Sequence, residues 1–478
     1  MDKKEAFKFV DDISARIEKL SDDIWDCPET AFEEFESTRL SIEALKELGF
    51  EVTEKVAGID TAYSGKWGSG HPVIGFLGEY DALSSISQKA GCDTHQPVVE
   101  GGNGHGCGHN LLGAGCIAAA YGLKEYLKAT GKPGTVIYFG CPGEEGGSGK
   151  AFMAGAGVFD DCDFCLHWHP SDTNCVDNSS TNANIQLYYR YTGVAAHAAG
   201  AEFGRSALDA VELLNLGVQF LREHMDPNFR IHYAITNTGG FSPNVVQPNA
   251  EVLYLIRANN NKNAAELKAR VDRIAQGAAL MTDTKLEMDF IKACSNFVPL
   301  STMNAVMQKN AEEIPFPELS EEDHAFAKRM QAAFDQSGDS LARYLGYLDP
   351  EVAEKFEDKL GSDINNFMLP LTPMEQHSGG SSDVGDVSQV CPVAFLNGLT
   401  HAANTPGHSW QWVAQGKAPL AHKGMIWSAK VLVATAIDLI NDPETVEKAK
   451  AELSKKMGGE KYACPIPAGT KPRGISKH

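Results

Sequence analysis

Three short apolar runs in the first third of the chain, each passing into a polar or glycine-rich segment, constrain the fold more than any other feature. Residues 73–77 (Val-Ile-Gly-Phe-Leu) lead into Gly78-Glu79-Tyr80-Asp81, and residues 134–140 (Gly-Thr-Val-Ile-Tyr-Phe-Gly) lead into Cys141-Pro-Gly-Glu144-Glu145. Residues 164–167 (Phe-Cys-Leu-His) end a third run at His167. Short continuous apolar runs bounded by turn signals read as strands buried on both faces. Between the first two runs, Leu111 to about Leu127 has helical spacing. Buried strands alternating with helices predict an α/β domain built on a mostly parallel sheet. Functional groups in such sheets gather at the carboxyl ends of strands, which is where Asp81, Glu144, Glu145 and His167 fall.

The rhythm changes near residue 185. Strand-like alternation over 185–191 is followed by helical spacing over 205–225, strands over 231–236 and 251–258, a helix over 264–280 and a strand over 285–293. The order β-α-β-β-α-β is the ferredoxin-like arrangement. At 478 residues the chain is too long for one core. The expected division is therefore a discontinuous domain, 1–183 with 295–478, carrying an inserted domain at 184–294. Residues 310–375 are charged and helical at first, then loop-like, and the pattern gives them no role. A last amphipathic helix is expected over 424–440, followed by a loosely held tail beyond Lys455.

The 42 basic and 63 acidic residues leave a formal charge of −21. Such a surface repels phosphate backbones and anionic lipid, so neither nucleic acid nor membrane is an expected partner. The N-terminal stretch reads as one charge-rich amphipathic helix without a signal-peptide core, and no run suggests a transmembrane span. Eleven cysteines, an odd number in no framework pattern, suit a reducing compartment, with cytoplasm as the default.

Four segments carry candidate chemistry. Gly104-His105-Gly106-Cys107-Gly108-His109-Asn110 packs two imidazoles and a thiol among glycines, whose freedom lets neighbouring side chains converge on one ion. The same segment also reads as a turn with solvent-facing histidines, or as a Cys–His nucleophile pair. In Glu144-Glu145, adjacent side chains point in different directions, so one carboxylate can bind metal while the other acts as general base. An acidic surface turn is the plainer alternative. Gly146-Gly-Ser-Gly149-Lys150, just after, imitates a phosphate loop. That pattern needs glycine where Glu144 stands and Ser or Thr where Ala151 stands. In Leu166-His167-Trp168-His169-Pro170 spacing alone does not choose between the two histidines. His401 and His408 lie in the fourth segment, after a glycine-rich stretch holding Asp383 and Asp386.

Taken together, these motifs resemble the amidohydrolase branch of the M20 metallopeptidase family over nearly the whole chain. The resemblance implies metal ligation by Cys107, His109, Glu145, His167 and His408, with Glu144 as general base and Asp81 as the aspartate of an Asp-Ala-Leu signature. It prefers His167 to His169 because Pro170 completes a His-x-x-Pro motif. Two divalent ions, zinc or manganese, are the implied cofactors, and a thiolate ligand favours zinc. The inserted domain resembles the family's lid, which commonly mediates dimerisation. There His197 resembles the residue that polarises the scissile carbonyl, and Asn244 and Arg257 resemble residues that bind the substrate's carboxylate. Asn110 departs from the usual Cys-Gly-His-Asp.

Within the branch, the segments around Asp383 and His408 resemble the subgroup that cleaves p-aminobenzoyl-glutamate to p-aminobenzoate and glutamate in partnership with a related chain. A dipeptidase or another N-acyl amino acid hydrolase is the alternative within the enzymes. A non-catalytic partner subunit is the alternative outside them.

Overall fold

The apolar runs of the first third become the middle of an eight-stranded sheet in the computed structural model, which describes residues 1–335 and 338–474. Its strands are β1 (Glu51–Glu54), β2 (Tyr63–Ser69), β3 (Val73–Gly78), β4 (Gly134–Gly140), β5 (Phe164–Ser171), β6 (Thr173–Val176), β7 (Asn365–Met368) and β8 (Val393–Leu399). They lie in the order β1-β2-β4-β3-β5-β8-β6-β7. The central set is parallel: β3 pairs with β4 and β5, and β5 pairs with β8. Every residue of β3 is buried, as its unbroken apolar run requires.

The helices His109–Thr130 and Pro419–Asn441 pack on this sheet, and Lys3–Asp12 and Ser14–Trp25 pack against His109–Thr130. The single N-terminal helix expected from sequence is thus two, interrupted at Ile13, whose backbone (φ −107°, ψ 2°) leaves the helical region. Pro419–Asn441 is longer than expected and apolar on most of its faces rather than amphipathic. It is long and apolar enough to cross a membrane, but 78% of its most apolar window is buried against neighbouring helices and strands. The stretch after Lys455 is better anchored than expected, since Arg473 pairs with Asp289 and donates to Phe290 O at 3.1 Å.

By its internal contacts the described chain forms two units. The first comprises residues 1–180, 298–376 and 387–462 and holds the eight-stranded sheet. The second comprises 181–297, 377–386 and the described residues from 463 onward. Its four strands, Ala183–Thr192, Arg230–Asn237, Asn249–Ala258 and Lys285–Cys294, form an antiparallel sheet in the order fourth, first, third, second. The helices Ala207–Arg222 and Asn261–Thr282 pack against it, completing the β-α-β-β-α-β arrangement. Within this unit Asp386 is buried and accepts from Ser295 N and Oγ, at 3.0 and 2.6 Å, which gives it a structural task.

Candidate metal centre

Five segments of the first unit meet at the carboxyl ends of β3, β4, β5 and β8. Asp81 follows β3, Glu144 and Glu145 follow β4, His169 lies near the end of β5, and His408 follows β8. Cys107 and His109 stand where a loop turns into the helix His109–Thr130. Gly108 makes that turn with φ 75°, and a Cβ there would come within 2.9 Å of Pro170. Glycine is required on both counts.

The donor atoms fall into overlapping groups, each within 4.8 Å: Cys107, His109 and His169; Cys107, Glu145 and His408; and Glu79, His109 and Glu144. Cys107 Sγ is 3.3 Å from His169 Nε2, and His408 Nε2 is 3.3 Å from Glu145 Oε1. Asp81 ties two of these groups together, because Oδ1 lies 3.0 Å from His109 Nδ1 while Oδ2 accepts from Glu145 N at 2.9 Å. With Nδ1 of His109 held by Asp81, and Nδ1 of His169 held by Pro170 O at 2.7 Å, both rings turn Nε2 toward Cys107. His109 Nε2 and Glu145 Oε1 are buried and face only ionic neighbours, Glu79 Oε2 at 3.2 Å and His408 Nε2 at 3.3 Å, without a well-aligned hydrogen bond. Unsatisfied buried donors and acceptors are costly, and a divalent cation would satisfy these two at once. The residues fit such an ion.

The electrostatics agree. Burial disfavours a charged His109, yet Cys107, Glu79 and Asp81 carry its pKa well above the usual value. Burial likewise opposes ionisation of Glu145, but the His408 and His109 imidazoles hold its carboxyl at about 2. Burial and the neighbouring Glu145 carboxylate push the Cys107 thiol up. A cluster that attracts a proton this strongly in one place and resists a free thiolate in another has the charge pattern that a cation relieves.

The structure brings together Cys107, His109, Glu145 and His408, with Glu144 and Asp81 beside them, but it sets His167 apart. His167 Nδ1 is bonded to Leu77 O at 3.0 Å, its Nε2 lies 3.8 Å from Glu79 Oε1, and burial holds it neutral, down to about 3. His169, rather than the expected His167, is the histidine of this strand that lies next to Cys107. His105 is bonded to Ile24 O and joins none of the donor groups, while Asn110 donates to Ser21 Oγ at 3.0 Å.

Two further residues escaped the sequence reading. Glu79 is fully buried with Oε2 3.2 Å from His109 Nε2, and Lys150 Nζ lies 2.5 Å from Glu79 Oε1. The lysine of the failed phosphate-loop pattern is therefore a buried cation beneath the metal centre. Only the strand-end position of Glu79 hinted at this.

His197, Asn244 and Arg257 lie in the second unit. His197 and Asn244 are neighbours, since Ala198 N donates to Asn244 O at 2.9 Å. Ala199 N donates to His197 Nδ1 at 3.0 Å, which leaves the proton of a neutral ring on Nε2. Arg257 is elsewhere. It lies eight residues along the strand Asn249–Ala258 from Asn249, or about 26 Å at roughly 3.3 Å per residue, while Asn244 precedes the strand's other end.

Known proteins resemble this chain. The model of peptidase family M20/M25/M40 matches residues 75–471. One p-aminobenzoyl-glutamate hydrolase chain of Escherichia coli (strain K12) is 44% identical over 479 residues, covering 98% of this chain and 99% of that protein. Another chain of the p-aminobenzoyl-glutamate hydrolase of that organism is 28% identical over 271 residues, covering 54% of this chain and 60% of that protein. Among solved structures, a Bacillus subtilis protein described as a dinuclear metal binding peptidase from the M20 family superposes with a TM-score of 0.53 at 17% identity. That match covers 89% of this chain and 99% of the other.

Proposed function

The chain belongs to peptidase family M20/M25/M40 and is a hydrolase. From that premise we propose that it cleaves the amide bond of an N-acyl amino acid, with p-aminobenzoyl-glutamate as its substrate. The observation that carries the reading is Cys107, which belongs to two groups of donors that would hold divalent ions. We assign His109, His169, Glu145 and His408 as the other ligands, of two zinc or manganese ions. The 44% identical relative supports the substrate by its name.

Bound divalent ions would supply Lewis acidity and lower the pKa of a water. Glu144 stands with Glu79 and His109 at the same donor cluster and is the carboxylate left to move protons. It takes a proton as water attacks the amide carbon, then delivers it to the nitrogen as the C–N bond breaks. Asp81 holds His109 and the Glu145 backbone in place throughout. For His197, the Nε2–H left by the Ala199 hydrogen bond is a donor suited to a developing oxyanion. Asn244 and Arg257 are assigned to the substrate's carboxylate. Their placement at opposite ends of one strand means that a single carboxylate engages both only if they come from different protomers.

That requirement supports an oligomer, either a homodimer or a heterodimer with a related chain. The strand Arg230–Asn237 is an outer edge of its sheet with Tyr233 and Ile235 exposed, and the adjoining helix Ala207–Arg222 exposes Leu216 and Phe220. Such an edge is a ready surface for a second sheet. A purely scaffolding protein would have no need of a base beside a ligand.

The test is metal analysis together with a panel of N-acyl amino acids assayed before and after chelation. Glu144→Gln is expected to keep the wild-type metal content and lose about 10²–10⁴-fold in kcat. Near-normal turnover in that variant, or undiminished hydrolysis by metal-free protein, would overturn the reading.

A further inference from the structure

Residues 310–375 have no role in the chemistry above, yet much of this stretch lies against the loop that carries His408. His408 is the most exposed of the metal-centre donors, and its backbone is left-handed (φ 54°). Four residues earlier Asn404 is left-handed too (φ 65°). Two non-glycine residues persist in that region only where their surroundings over-determine them. Those surroundings come largely from one stretch of chain. Asn404 Oδ1 accepts from Ser340 N at 2.8 Å, and Asp172 Oδ2 accepts both from Asn404 N at 2.8 Å and from the Ser340 hydroxyl. Ala403 N donates to Asp363 O at 2.9 Å, and Gln331 Nε2 donates to Ala403 O at 3.2 Å. Just past His408, Gln411 Nε2 donates to Ala333 O at 3.3 Å. Below these bonds Ala327, Met330 and Ile364 pack with Leu399, Ala402 and Ala414. At the far end of the loop, His408 N donates to Gly106 O at 3.1 Å, next to Cys107.

We infer that the described residues between 320 and 369 form a buttress that presets the 400–408 loop so that His408 holds its ion, with Ser340, Asn404 and Asp172 as the joint between the two. The inference rests on the proposed reading of His408 as a ligand. Ser340, Asn404 and Asp172 are positioning residues: none belongs to the donor groups, and they act through the backbone leading to His408. Asp172 is suited to the joint because it is half-buried and its oxygen gathers donors from both segments. Ligand orientation by outer residues is commonly worth 10–100-fold in metal affinity.

The experiment is titration of metal-free protein with Mn2+ or Zn2+ against a competing chelator, resolving the two ions. It uses wild type, S340A/N404G, H408A and the triple variant. Glycine at 404 permits the left-handed backbone without strain and removes the side-chain acceptor. In S340A/N404G one ion is expected to bind about 10–100-fold more weakly while the other is unchanged. The triple variant should match H408A, because the joint has nothing left to position. Wild-type affinities in S340A/N404G, equal weakening of both ions, or a further loss in the triple variant would each overturn the buttress. If H408A itself kept both ions at wild-type affinity, the ligand assignment would fall instead.

Discussion

Replacing Lys150 with methionine tests the electrostatics of the centre most directly. Lys150 and Glu79 have side chains 0% and 1% exposed, with Nζ 2.5 Å from Oε1. At that distance, with an effective dielectric of about 20, their attraction is roughly 7 kcal/mol. Removing one partner of such a buried pair usually costs about 3–5 kcal/mol, because the remaining charge is left uncompensated. In this protein the orphan would be Glu79, which can then lean on His109, 3.2 Å away, and more weakly on His167, 3.8 Å away. Lys150→Met is therefore expected to destabilise the metal-free first unit by about 3–5 kcal/mol. The double variant with Glu79→Gln should recover much of the loss, giving a coupling of at least about 2 kcal/mol. The assay is urea denaturation followed by tryptophan fluorescence. All six tryptophans (25, 67, 168, 410, 412 and 427) lie in the first unit, so the signal reports the unit that holds the pair. Loss of a positive charge beneath the donors should also make added divalent ions stabilise the variant more than they stabilise wild type. Single-variant effects that add to the double within about 0.5 kcal/mol would refute the reasoning.

Two further outcomes follow from the same geometry. His169→Ala is expected to lower metal content sharply. His167→Ala should instead retain the ions and lose about 1–3 kcal/mol of stability from its buried bond to Leu77 O, as read by metal analysis beside a thermal melt. In metal-free protein, Glu145 is held at about 2 against a usual 4.5, so its stabilisation is complete above about 4.5 and is lost as pH falls toward 2. Acid unfolding of Glu145→Gln should lack that component, and an unchanged acid titration of stability would remove the His408 and His109 contribution.

Local pattern was enough to specify the central strands β3, β4 and β5, the β-α-β-β-α-β order of the second unit and the kinds of donor at the strand ends. Unbroken apolar runs such as 73–77 can be satisfied only by burial on both faces, and a helix-sized segment between two such strands forces the parallel crossover. The glycine at 108 was legible for a similar reason, since few other residues make that turn. Only the folded chain sets His169, and not His167, beside Cys107. The two side chains lie on one side of β5, about 6.6 Å apart along the strand. Phe76 is level with Leu166, so His167 remains level with the body of β3, whereas His169 lies beyond it at the rim where Cys107 waits. No local pattern contains that register. The same holds for Lys150 and Glu79, for Arg257 at the wrong end of its strand to join Asn244, and for Ser340 meeting Asn404. Each is a relation between segments distant in sequence or set by strand length, and such relations exist only once the chain has closed on itself.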